Sequence, residues 1–181
     1  MLTSRSHASP TSRPISKWRI RRPAISLTTA FCFSAELHIA NALRLAREDL
    51  DAARLLSGAD NRNDAYHAQQ TAEKMLLALL TSEGIRAERR DSHRIDVLRD
   101  LLPDADPFKA RFAPLTFLTV FATTYRYPKD AGRIPARAER DELERVLVTL
   151  QAILTDLAEH FGVELSASDR LPAARSNPPR T

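Results

Sequence analysis

A chain of 181 residues is long enough for one domain with tails, and 43% hydrophobic residues with few aromatics suit a helical protein. Its four glycines, Gly58, Gly84, Gly132 and Gly162, are far apart, so no glycine-rich phosphate loop exists and dinucleotide-fold and P-loop classes are excluded. The pI near 9.6 is carried by the ends. Residues 1–33 hold six basic side chains and no acid, and residues 165–181 hold three arginines against Asp169; removing these leaves 18 basic residues against 22 acidic in 34–164.

The lone Cys32 excludes a disulfide framework and a thiolate metal cluster, and a cytoplasmic location is the matching expectation. No run reaches the ~20 apolar residues that span a bilayer. Lys17 to Arg22 followed by Ala24 to Phe33 faintly resembles a leader, but Thr28 and Thr29 interrupt the apolar part. Residues 1–33 therefore read as a disordered basic tail.

In chain order, the first helix is predicted from Ser34, as N-cap, to Leu56, with Ile39, Leu43, Ala46, Leu50 and Ala53 on one stripe. A second runs from Asn63 to Glu83 and ends at Gly84. Ser92 is the predicted cap of a short third, His93 to Leu102, which Pro103 stops. Pro107 to Tyr125 reads as a buried helix, kinked or restarted at Pro114. The last helix, Ala136 to Phe161, places Leu143, Leu147, Leu150, Leu154, Leu157 and Phe161 at alternating steps of four and three. The expected fold is all-α, an antiparallel up-and-down bundle of about five helices over residues 34–164, followed by a disordered tail at 165–181.

The second helix carries the unusual chemistry. Ala65, Ala68 and Ala72 make a small-residue face, flanked by a strip of His67, Gln70 and Lys74 and a strip of Tyr66, Gln69 and Glu73. Polar groups so near a packing face need partners across helices or across a subunit interface, or else a ligand. Tyr125-Arg126-Tyr127 offers a planar guanidinium between two aromatic rings, suited either to a phosphate or to a helix C-terminus. His93-Arg94 opens the third helix as a cap or a contact. The histidines lack zinc-site spacing, so neither metal nor cofactor is expected. The binding or interface candidates are Tyr66, His67, Gln70, Glu73, Lys74, His93, Arg94, Tyr125, Arg126 and Tyr127, with no catalytic residue assigned.

The run Tyr66-His67-Ala68-Gln69-Gln70-Thr71-Ala72-Glu73-Lys74, then His93-Arg94, then Tyr125-Arg126-Tyr127-Pro128, resembles the HEPN domain family. There the second helix commonly reads His-Ala-Gln-Gln-x-Ala-Glu-Lys, a histidine follows the next loop, and Arg-Tyr-Pro closes a later helix. The resemblance covers about residues 35–162. It implies a compact antiparallel bundle, a homodimer, and a place beside a small nucleotidyltransferase in toxin–antitoxin or defence modules. Ribonuclease members of that family use Arg-x4-6-His at the start of a late helix, the arginine on the scissile phosphate and the histidine moving protons.

This chain departs from that pattern, because no histidine follows Arg126 until His160. Arg62 and His67 meet the bare spacing, but at the start of the second helix. The implied function is a HEPN-type component lacking the ribonuclease pair, which binds nucleotide or RNA or partners a nucleotidyltransferase. A metal-independent endoribonuclease toxin and a non-catalytic helical adaptor are the alternatives.

Overall fold

The computed structural model describes residues 29–123, 132–134 and 136–166, with side chains from Ser34 onward. Helices α1 (Thr29–Gly58), α2 (Asp64–Ser82), α3 (Ile95–Leu101), α4 (Thr119–Thr123) and α5 (Arg140–Phe161) are joined by a 3-10 helix at Lys109–Leu118, and no β-strand element occurs among the described residues. The expected all-α bundle is the fold observed.

Helix α2 touches every other helical element. Its sequence makes this possible, since Ala65, Ala68, Ala72 and Ala78 admit neighbours closely while Met75, Leu76, Leu79 and Leu80 fill the remaining directions, all buried.

Direction alternates along the chain. Arg44 Nε donates to the Glu164 carbonyl and Arg54 donates to Gln151, so α1 and α5 are antiparallel. After α2 the segment 85–94 returns along it, bringing His93 beside Glu73. Helix α3 then runs with α2, and the 3-10 helix runs back, placing Arg111 on Asp156 of α5 at 2.7 Å.

The ends of the long helices share one device. Gly84 (φ 69°) and Gly162 (φ 66°) are left-handed, with Ile85 N–H donating to Leu80 O and Val163 N–H to Ala158 O, each at 2.8 Å. These six-to-one bonds close the orphan carbonyls, and the following apolar residue packs on the core. Helix α1 uses Asp60 (φ 55°) in that role, with Asn61 N–H on Leu56 O, so Gly58 is not its terminator.

Four local expectations change. Helix α1 begins at Thr29, which leaves Ser34 inside it rather than at its N-cap. Arg94, not Ser92, precedes α3; the Ser92 hydroxyl donates back to Arg89 O, and Ile95 N–H finds Thr119 Oγ1 instead. The segment around Pro114 is a 3-10 helix that restarts as α4 at Thr119, since the proline has no N–H for the α-helical ladder. Helix α5 begins at Arg140, because the Glu139 carboxylate caps it by accepting the Glu142 N–H at 2.8 Å.

Beyond Leu102, Lys109 supplies what α3 lacks. Its ammonium donates to Leu102 O at 2.6 Å and pairs with Asp104, so a cation sits on the helix C-terminus.

Candidate functional site

The two polar strips of α2 form one hydrogen-bonded chain. On one side His67 Nδ1 donates to Asp49 Oδ1 at 2.9 Å, and Lys74 Nζ donates to Asp49 Oδ2 at 2.6 Å. Lys74 also reaches Gln70 Oε1 at 3.3 Å. Gln70 Nε2 crosses to Gln69 Oε1 at 2.7 Å and to Glu73 Oε2 at 3.2 Å. Gln69 Nε2 then donates to Glu73 Oε2 at 2.9 Å and to the His93 carbonyl at 3.2 Å. His93 Nδ1 closes the chain on the Glu73 carboxylate at 3.0 Å.

Chemistry fixes the orientation of each link. A carboxylate only accepts, so both histidines carry a proton on Nδ1 and turn Nε2 away from their partner. Each glutamine amide has a donor on one side and an acceptor on the other, so neither can flip without losing bonds. Among the described residues no buried side-chain nitrogen or oxygen lacks a partner.

Burial falls from the middle to the ends. Gln69 and Glu73 are buried, whereas the Lys74 and His67 side chains keep about a quarter of their surface and His93 keeps 56%. Two carboxylates face one lysine and two histidines, so the cluster carries no surplus positive charge when the rings are neutral. The histidines do not converge, because His67 faces α1 and Glu73, which holds His93, lies six residues on at a different helical angle.

The network brings together His67, Gln70, Glu73, Lys74 and His93 from the expected set. Tyr66 joins at the edge, its ring 5.2 Å from that of His67 in a T-shaped contact. Arg94 does not join; it pairs with Asp96 at 2.7 Å, which raises the guanidinium pKa above its ordinary value and holds the Asp96 carboxyl below its own. Tyr125, Arg126 and Tyr127 lie outside the described residues.

Asp49 was not among the expected residues, although it organises half the network. Its signal was positional: it lies three residues after Ala46 and four before Ala53, both fully buried, so an acid stands on the packing side of α1. Gln69 sits on an expected strip, and the structure makes it the link between the two.

Among the described residues no group of three or more His, Cys, Asp or Glu side chains is placed to hold a metal ion, and no helix is long and apolar enough to cross a membrane. No curated protein and no solved structure matches the chain. The model of one family, the HEPN domain, matches residues 39–160. That stretch contains the whole α1–α2 network and the three motifs that carry the resemblance, and the chain belongs to the HEPN domain family.

Proposed function

We propose that this chain is a non-catalytic, partner-binding HEPN component, which dimerises and docks a nucleotidyltransferase-type protein in a two-component toxin–antitoxin or defence module. The observation that carries the reading is the sharing of one Asp49 carboxylate by His67 and Lys74. An RNA backbone is gripped by cations free to replace its counterions. Here the lysine is already neutralised, and the bundle has more acids than bases. A cluster that keeps about a quarter of the His67 and Lys74 side chains exposed, with donors and acceptors fixed in place, suits the polar contacts of a protein interface instead.

The test is co-expression with a nucleotidyltransferase encoded beside this chain, followed by light scattering on the purified mixture. A stable complex, weakened by His67→Ala and Gln70→Ala variants that melt normally, is the expected result. A chain that stays alone at about 50 μM of each protein rejects the reading.

One observation favours the endoribonuclease alternative. Arg62 and His67 have the Arg-x4-His spacing, and Asp49 fixes the His67 ring so that Nε2 is the free nitrogen, as in a general base oriented by an acid. Metal-free cleavage of RNA, abolished by His67→Ala, would establish that reading in place of the first.

A further inference from the structure

The C-terminal ends of α2 and α5 meet the turn that follows α3 around an open cleft of about 370 Å3. Glu83 comes from the end of α2, His160 and Phe161 from the end of α5, and Pro103, Asp106 and Pro107 from the turn. The last carbonyls of a helix carry partial negative charge, and a base nearby normally offsets it. Lys109 does so for α3, and His160 stands in the last turn of α5. Helix α2 has no base in its last turn, and its C-cap residue is an acid, Glu83. The helix dipole disfavours a carboxylate there. The Glu83 side chain nevertheless has no hydrogen-bond or ion-pair partner among the described residues.

Asp106 is the second acid of the cleft. One of its oxygens accepts the Phe108 N–H at 2.7 Å, which shapes the turn, and no cation pairs with it among the described residues. The nearby Asp104 and Asp156 do have counter-charges, on Lys109 and Arg111. No lysine or arginine lines the cleft itself. Its remaining wall is apolar and aromatic. Pro103 and Pro107 are exposed, Phe161 is partly so, and the His160 ring packs edge-on against Phe108 at 5.5 Å and Phe161 at 4.7 Å. Ring faces attract cations, and Phe108 already has the Arg111 guanidinium 5.7 Å from its centroid.

We infer that this cleft binds a small organic cation, an ammonium or guanidinium group on a short aliphatic stem. The charged head is held by Glu83 and Asp106 at the end of α2, and the stem lies along Pro103, Pro107 and Phe161. A bare metal ion fits poorly, because it needs more oxygen ligands than two acids supply and gains nothing from an apolar wall. The volume falls within the ~300–1,000 Å3 typical of small-ligand sites. The inference does not depend on the partner reading, which rests on the Asp49 cluster.

The experiment is NMR titration of the full chain with agmatine, followed at the Glu83 and Phe161 amides and the His160 ring. The chargeless control is n-butanol, and magnesium chloride is the cation without a stem. Saturable shifts with agmatine are expected, and neither control should reproduce them. Glu83→Gln and Asp106→Asn should each weaken agmatine binding by about three- to fivefold, as for a partly exposed ion pair. Asp106→Asn keeps the oxygen that accepts the Phe108 N–H. Glu83→Gln should melt no lower than the wild type, since the carboxylate has no partner to lose and opposes the helix dipole. Glu48→Gln removes an exposed acid of α1 that does not line the cleft, and it should leave binding unchanged. Absence of saturable shifts up to about 10 mM agmatine overturns the site. So does n-butanol or magnesium matching agmatine, or Glu48→Gln weakening binding as much as Glu83→Gln.

Discussion

Asp49 and Lys74 meet at 2.6 Å across the α1–α2 packing face, and the same carboxylate holds His67 through its other oxygen. One acid of α1 thus ties down two turns of α2. Only 17% of the Asp49 side chain is exposed, so water can replace it poorly if it is removed.

Replacing Asp49 with alanine leaves an ammonium and an imidazole facing a packed interface. The expected loss is about 1.5–3 kcal/mol in urea unfolding, the range for charge-assisted hydrogen bonds. Lys74→Met alone should cost less, because its stem still packs and Asp49 keeps His67. Combining the two should cost less than the sum of the single changes, since both remove the same contact. Full additivity would mean that the pair contributes nothing jointly.

Glu73 plays the matching role on the other side, holding the returning segment through His93 while Gln69 holds its carbonyl. Glu73→Ala removes the acceptor of one buried Gln69 N–H, the other still reaching the His93 carbonyl, at a cost of about 1–3 kcal/mol. Hydrogen exchange should locate the effect. Amides in 85–94 are expected to exchange faster while those in the middle of α5 hold, because the damage lies at the α2–loop contact. Uniform acceleration would show instead that the loop and bundle open together.

Much of this fold was legible in the sequence because apolar period survives any tertiary context. Leu143 to Leu157 and Ile39 to Ala53 mark the buried stripes of α5 and α1, and all are observed in the core. The strip residues of α2 were legible for a related reason, since a histidine, glutamines and a glutamate beside three alanines demand partners. Partners themselves come from elsewhere in the chain, and periodicity carries no record of them; hence Asp49 was missed. Caps failed similarly. Ser34 and Ser92 have the right residue type, but a serine caps only where the chain already turns; Ser34 lies inside α1, and Arg94 occupies the turn before α3. Pro114 signalled a break without specifying that the chain would tighten into a 3-10 helix.

Gly58 and Gly162 give a clean contrast in backbone cost. A methyl group at either meets nothing within 4 Å, yet only Gly162 is left-handed. Gly162→Ala should therefore lose about 1–2 kcal/mol, the penalty of that conformation for an L-residue. Gly58→Ala in the last turn of α1 should gain about 0.5–1 kcal/mol by reducing the freedom of the unfolded chain. Thermal melts of both variants check the signs, and a loss at Gly58 would mean that α1 does not extend to that residue.

The cap of α5 should make part of the stability depend on pH. The Glu139 carboxylate accepts the Glu142 N–H, with further help from the Asp141 N–H, and this holds its pKa below the ordinary 4.5. The folded form thus prefers the charged group more than the unfolded form does. Above about pH 5 both forms are ionised and the stabilisation is fully present; it falls away as pH drops through the lowered folded value. Glu139→Gln keeps an acceptor oxygen but removes the charge that complements the helix N-terminus. The wild type is therefore expected to melt slightly above Glu139→Gln, by a constant margin from about pH 6 to 8, and the margin should shrink as pH falls through the lowered folded value. Asp141 and Glu142 also lie in the first turn, but they are the same in both proteins and cancel in the difference. A margin that persists unchanged into acid would mean that the glutamate acts through shape rather than charge, and the electrostatic account of this cap would fail.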